Sequence, residues 1–283
     1  MTKKILALGG GNIGEIYDGK VMPYETEFFD EEIINLSDSN RPRVLFLGLA
    51  DPSNSDMYFH YFSNVFCQKF GCICKDLKLS DLRNQYKIDN LFNWCDVVYV
   101  GGGNTFTLVK LCQKYGLVDK LLQTYNDGKV MCGVSAGGMC WFKYGNSINP
   151  NNKNKLIKQD CFGFENMVFA PHCDEINGHF ENVENLISNE NLVAISLSNC
   201  CALEIVDDKF RFLNSNTSVN RYKIAPFGIR SYWDNDKYIL ENIELNSKYA
   251  ELNDLLIPRP LYKNEIEEDV KKLLKKRNIY FKQ

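Results

Sequence analysis

The sequence predicts an α/β fold, a mostly parallel sheet with helices on both faces, extended by C-terminal β-hairpins and a terminal helix. Two observations carry the sheet. Short runs rich in β-branched residues recur along the N-terminal part, and stretches with helical apolar spacing separate them. Strands that alternate with helices are joined by crossovers, which makes their pairing parallel. A third observation sets the C-terminal part apart: "ALEIV-DD-KFRFL" and "RSYW-DND-KYIL" each alternate about an acidic turn, the pattern of a hairpin.

Taken in order, the first strand is Lys4–Leu8, and it ends in the glycine loop "GGGNIG". Gly9, Gly11 and Gly14 satisfy G-x-G-x-x-G. A dinucleotide loop must also open a helix and be followed by an acidic residue closing the next strand. Here Asp18-Gly19 and Pro23 interrupt any helix, Asp30 falls within a predicted helix, and the second strand, 43–49, reaches an acidic residue only at Asp51. The loop is therefore read as a tight turn lining the sheet edge, with Asn12 as a substrate contact.

An amphipathic helix follows over 58–70, then strands over 73–78 and Val97–Val100, then a second glycine loop at 101–104. Thr105 is placed to cap a helix spanning 105–122. Strands over 130–133 and 168–170 complete the sheet. The final helix, 265–277, aligns Ile266, Val270, Leu273 and Leu274 on one face, which docks on the body or on a second subunit. No Pro/Ser-rich linker interrupts the chain, so one domain is expected over 1–283, with a core of 1–215 and an extension of 216–283.

Composition removes several classes of function. A net charge of −3 with no basic stripe disfavours nucleic acid and anionic membrane as partners. The one basic run, Lys271, Lys272, Lys275, Lys276 and Arg277, reads as a solvated helix face. Eleven cysteines contain no C-x-x-C pair and have only three histidines beside them, which reads as free thiols in a reducing compartment. The N-terminal apolar stretch is too short for a signal or a membrane span, so a cytoplasmic protein is expected.

The chemistry concentrates in "VMCGVSAGGMCWF". Gly133-Val134-Ser135-Ala136-Gly137 matches G-x-S-x-G between an apolar strand and a helix, the setting of a nucleophile elbow. A plain strand-to-helix turn is the competing reading. An elbow serine needs a base, and His172 ends the apolar run "MVFAPHCDE" at the strand edge where ligands bind in open α/β sheets. His60 lies within an aromatic helix and His179 in a polar loop. A structural histidine is the alternative for His172. The amide of Ala136 and those of the second glycine loop, with Gly102 and Gly103 at its centre, suit an oxyanion hole.

Four ordered motifs, "GGGNIG", "YVGGGNTFTLV", "GVSAGGMCWF" and "APHCDE", resemble the peptidase E family of serine peptidases, which includes α-aspartyl dipeptidases and, more distantly, cyanophycinases. The resemblance runs to about residue 215. It implies a fold similar to class I glutamine amidotransferases, Ser135 as nucleophile, His172 as base, an oxyanion hole from Ala136 and the Gly102–Gly103 region, and cleavage of short peptides without metal or other cofactor. It also implies an acidic third member and suggests a homodimer. Asn149 and Asn199 stand where the carboxylate is expected, and Asp174, Asp160 and Glu204 are further candidates. Asn104 joins Asn12 as a substrate contact. After His172 the chain reads "CDEINGHFENVEN", without Arg or Lys, so strict selectivity for an N-terminal aspartate is not expected, and Asp174 or Glu175 is available to a substrate amine. A non-catalytic peptide-binding relative and a hydrolase of another amide remain the alternatives to a small-peptide peptidase.

Overall fold

Strand β1 (Lys4–Leu8) is buried on both faces, as an apolar run without polar alternation requires. Ile5 and Ala7 enter one core cluster, and Leu6 and Leu8 enter another on the opposite face. The computed structural model describes residues 1–14, 16–17, 20–175, 180, 182–215, 225–262, 266 and 268–276.

The other strands, in chain order, are β2 (Ile16–Tyr17), β3 (Lys20–Val21), β4 (Arg43–Leu47), β5 (Ile73–Asp76), β6 (Val97–Val100), β7 (Val130–Val134), β8 (Phe142–Asn149), β9 (Asn152–Asp160), β10 (Glu165–Ala170), β11 (Ala194–Leu197), β12 (Cys201–Val206), β13 (Lys209–Asn214), β14 (Gly228–Asp234), β15 (Lys237–Asn242) and β16 (Ala250–Glu251). Eight form the main sheet in the order β16-β13-β12-β1-β7-β6-β4-β5. From β1 through β5 the pairing is parallel, and from β1 outward to β16 it is antiparallel. A second sheet runs β15-β14-β11-β10-β8-β9, parallel at its centre and antiparallel at both ends. β2 and β3 form a separate ribbon.

The second sheet departs from the sequence expectation of one parallel sheet with hairpins appended. Its outer hairpin, β8–β9, is written "FKYGNSINPNNKNKLIKQD", too polar and asparagine-rich to announce a strand by apolar alternation. Both expected acidic-turn hairpins form, as β12–β13 and β14–β15, with Asp207 (φ +53°) and Asn235 (φ +52°) in the left-handed region that such turns demand. β12 joins the main sheet beside β1, and β14 joins the second sheet beside β11.

Two helices are corrected. The segment 105–122 is broken into α4 (Thr105–Lys114) and α5 (Leu117–Asn126), because Gly116 takes φ +67° and turns the chain. The segment 58–70 begins earlier, as α2 (Ser55–Ser63), and then widens into a π-helical turn over Asn64–Lys69. Helix α1 (Glu27–Leu36) contributes Phe29 and Ile33 to the cluster on the Leu6 and Leu8 face, while α3 (Gln85–Trp94) packs on the other. α6 (Ala136–Met139) and α7 (Val183–Leu186) are single turns, and α8 (Leu252–Leu256) is little longer. In the terminal helix α9 (Glu268–Lys276), Val270 packs with Ile266, Phe227 and Ile229, so that face docks on the body of the same chain. The side chains of Leu273 and Leu274 lie outside the described set, as does His179.

Every cysteine is a free thiol, and burial raises the pKa of several, Cys95 to about 11 and Cys112 to about 12. No helix among the described residues is long and apolar enough to cross a membrane.

Candidate active site

Register brings the glycine loops to one edge. Leu8 pairs with Val134, Val100 with Gly133 and Leu47 with Val100, so the loops after β1, β4, β6 and β7 leave the sheet side by side. Between β7 and α6 the chain turns through Ser135 at φ +56° and ψ −115°, a conformation that costs a non-glycine residue about 1–3 kcal/mol. The turn needs its flanking glycines for close backbone approach. A Cβ on Gly133 would stand 2.4 Å, and one on Gly137 1.9 Å, from the Val100 carbonyl oxygen.

His172 and Asn199 come from the second sheet, just beyond the ends of β10 and β11. The first glycine loop ties them to the main sheet. Gly9 donates N–H to the Cys201 carbonyl (2.8 Å), its carbonyl accepts His172 N–H (3.0 Å), the Gly10 carbonyl accepts Cys200 N–H (3.0 Å), and Leu8 accepts Ser135 N–H (3.0 Å). Gly10 also lies under the imidazole. A Cβ there would fall 2.1 Å from Asn199 Oδ1 and 2.6 Å from His172 Cε1.

His172 Nε2 stands 2.9 Å from Ser135 Oγ. On the other side of the ring, Nδ1 is 3.1 Å from Asn199 Oδ1 and 3.1 Å from Glu175 Oε1. The orientation of the Asn199 amide is set by its neighbours. Its Nδ2 donates to Asp174 Oδ1 (3.1 Å), Asp174 Oδ2 (3.2 Å) and Glu175 Oε1 (3.1 Å), and carboxylates only accept. Oδ1 must then face the imidazole as an acceptor, which assigns the proton to Nδ1 and leaves Nε2 bare toward Ser135. Asp174 is 1% exposed and also accepts Asn199 N–H at 2.9 Å. Burial raises its pKa, and those hydrogen bonds pull it partly back.

The remaining sequence candidates sit elsewhere. Asn149 closes the β8–β9 hairpin, where its Oδ1 accepts Asn151 N–H (2.8 Å). Asp160 is exposed at the end of β9, opposite Tyr144. Glu204 is buried on β12 and ion-paired to Arg211 Nε (2.9 Å). Asn12 is buried, and both its backbone N–H and its Nδ2 donate to Glu25 Oε2 (2.9 and 2.8 Å). Asn104 caps α4 by accepting Thr107 N–H (2.8 Å), the role the sequence suggested for Thr105. Gly102 abuts the elbow, since a Cβ on it would lie 3.5 Å from Ser135 Cβ. Gly103 backs onto the Ala50 carbonyl.

Sequence reasoning overlooked the place of Glu175 beside Nδ1, although its spacing of three from His172 in "HCDE" fits one tight turn. It also overlooked Tyr58, whose hydroxyl accepts Gly102 N–H at 3.4 Å. The signal for Tyr58 is a stripe of aromatic residues on one face of "NSDMYFHYF".

Comparison with known proteins supplies independent evidence. Residues 16–213 match the model of peptidase family S51. The chain is 30% identical over 226 residues to the uncharacterized peptidase YgaJ of Bacillus subtilis (strain 168), spanning 78% of this chain and 92% of that protein. It is 24% identical over 235 residues to peptidase E of Nostoc sp., spanning 77% of this chain and 88% of that one. Among solved structures, a peptidase from an acI-B1 Actinobacterium superposes with a TM-score of 0.60 at 15% identity, covering 89% of this chain and 97% of the other. A putative peptidase E protein from Listeria monocytogenes EGD-e gives 0.55 at 16% identity, covering 76% and 99%. These two show a shared mixed α/β fold.

Proposed function

This chain belongs to peptidase family S51, the peptidase E family, and is a serine peptidase; from that premise we infer that it hydrolyses short peptides, in the manner of a dipeptidase, through Ser135 and His172. The observation that carries the reading is the 2.9 Å contact between His172 Nε2 and Ser135 Oγ on a strained turn. Ser135 Oγ attacks the scissile carbonyl while Nε2 takes its proton. The amides of Ala136 and the Gly102–Gly103 loop hold the oxyanion, Gly102 N–H exchanging its long 3.4 Å contact with the Tyr58 hydroxyl for it, each donor contributing about 3 kcal/mol. His172 then returns the proton to the leaving amine, and water repeats the sequence on the acyl-enzyme.

Asn199 serves as the orienting third member. It fixes the tautomer, and Asp174 anchors it from behind. The amide carries no charge to stabilise imidazolium, and Glu175, against the same nitrogen, supplies it. Asp174 is too buried to meet a substrate amine, so that role is left to Glu175. No step calls for a metal or cofactor. We further read the sheet edge as similar to that of class I glutamine amidotransferases, and the protein as cytoplasmic and able to form a homodimer.

The test is a dipeptide panel with a fluorophosphonate probe. Wild type labels and turns over, whereas Ser135→Ala keeps its fold, does not label and loses about 10⁴-fold or more in kcat. A folded Ser135→Ala with unchanged turnover sinks the assignment. The amide at Asn199 favours a second reading, a peptide-binding relative without turnover, for which wild-type Ser135 stays unlabelled.

A further inference from the structure

Helix α2 presents apolar residues on two faces. Phe62, with Phe66 just beyond the helix, packs into the core against Phe46 and Tyr99. Asn54, Met57, Tyr58 and Tyr61 recur at i, i+3, i+4 and i+7 on another side and line a cavity of about 360 Å³. An exposed helix face ordinarily turns charged residues to water. Here Met57 is 57% exposed.

Chain neighbours of the site residues line the cavity. Val134, which precedes Ser135, and Gly11, which follows the glycine beneath His172, are part of its wall. Tyr58 stands between the helix and the second glycine loop. Its ring meets Phe46 edge-on at 5.0 Å, and its hydroxyl reaches Gly102 N–H. A Cβ on Gly101 would come within 2.8 Å of that ring, so the wall is tightly seated. Tyr99, Ile13, Thr26 and Asp51 complete the described lining. Among the described lining residues only Asp51 carries a charge, its carboxylate accepting Asn54 Nδ2 (2.8 Å), and none of them is Lys, Arg or His.

We propose that this cavity receives a large, uncharged, aromatic side chain of the peptide substrate and rejects an acidic one. The inference rests on the serine peptidase reading of the same site and names its substrate class. An aspartyl or glutamyl side chain entering here would lose its hydration, find no cation among the described lining residues, and face Asp51. An aromatic ring exchanges water for tyrosine faces and edges, the packing that rings prefer. Differences between side chains in an apolar pocket are worth about 10- to 200-fold.

The test reads binding, not turnover. Ser135→Ala protein is titrated calorimetrically with Phe-Ala, Ala-Phe, Asp-Ala and Arg-Ala. The expected result is that one Phe peptide binds at least about tenfold more tightly than Asp-Ala and Arg-Ala. Adding Tyr61→Ala, at a half-buried position on the helix surface, then reduces that preference below about threefold; Met57→Ala serves if that variant does not fold. Asp-Ala or Arg-Ala binding as tightly as both Phe peptides, absence of binding by all four, or a preference that survives the cavity substitution overturns the proposal. Selective Phe-peptide binding together with wild-type protein that neither turns over nor labels overturns the catalytic reading and leaves the cavity assignment standing.

Discussion

At the scale of the residue, Asn199 decides how His172 is presented to Ser135. Its Oδ1 holds Nδ1–H, and its orientation is imposed by Asp174 and Glu175. Glu175 touches the same ring nitrogen, so orientation and charge are divided between an amide and a carboxylate. Two substitutions separate them. Asn199→Ala removes the tautomer control and is expected to lower kcat about 10- to 100-fold with KM little changed, since the loss falls on the proton-transfer geometry. Glu175→Gln keeps a hydrogen-bonding group of the same shape but removes the charge. Its kcat/KM is expected to fall about tenfold, because the charge that offsets the imidazolium formed during proton transfer is lost. A kcat/KM equal to that of wild type refutes the charge role of Glu175.

At the scale of the element, the loop after β1 is what joins the two sheets into one site. It receives N–H groups from His172 and Cys200, and Gly10 leaves space for the imidazole and the Asn199 amide. Gly10→Ala places a methyl group where Asn199 Oδ1 and His172 now sit, at a φ of +151° that already disfavours a side chain. The expected outcome is a loss of about 100-fold or more in kcat, from displaced reacting groups, with a Tm only a few degrees lower. Kinetics and thermal melting on the same preparation check it, and full activity in the variant contradicts this account of the loop.

At the scale of the whole molecule, a titrating group lies deep between α1 and the main sheet. Asp30 is fully buried, with Tyr24 and Thr26 hydroxyls donating to Oδ2 (2.8 and 2.9 Å), and desolvation pushes its pKa up to about 7. The unfolded chain releases this proton near pH 4, so between about 4 and 7 the native state holds a proton that the unfolded state has lost. Stability from this group is full below that window, falls as pH rises through it and is level above it. Wild-type Tm is therefore expected to drop between pH 5 and pH 8, and Asp30→Asn to flatten the drop. An identical pH dependence in the two proteins rules Asp30 out as its source.

The chain's own sequence determined the parallel strands around β1, β4, β6 and β7, the close turn at Ser135 and the place of His172 at a strand end, because each rests on a local pattern. Unbroken apolar runs demand burial on both faces, G-x-S-x-G demands a close turn, and a strand end followed by a polar residue marks a ligand edge. Asn199 was legible as a candidate but not separable from Asn149 or Glu204, since all three satisfy spacing alone. The tertiary structure separates their positions, because the pairing of β10 with β11 carries Asn199 to His172 Nδ1 while strand pairing holds Glu204 against Arg211. The same holds for Gly10 and for the tyrosine-lined cavity. What passes beneath a glycine, or across a cleft from a helix face, is set by chain segments distant in sequence. No local periodicity records such a neighbour, and it exists only once the two sheets have packed.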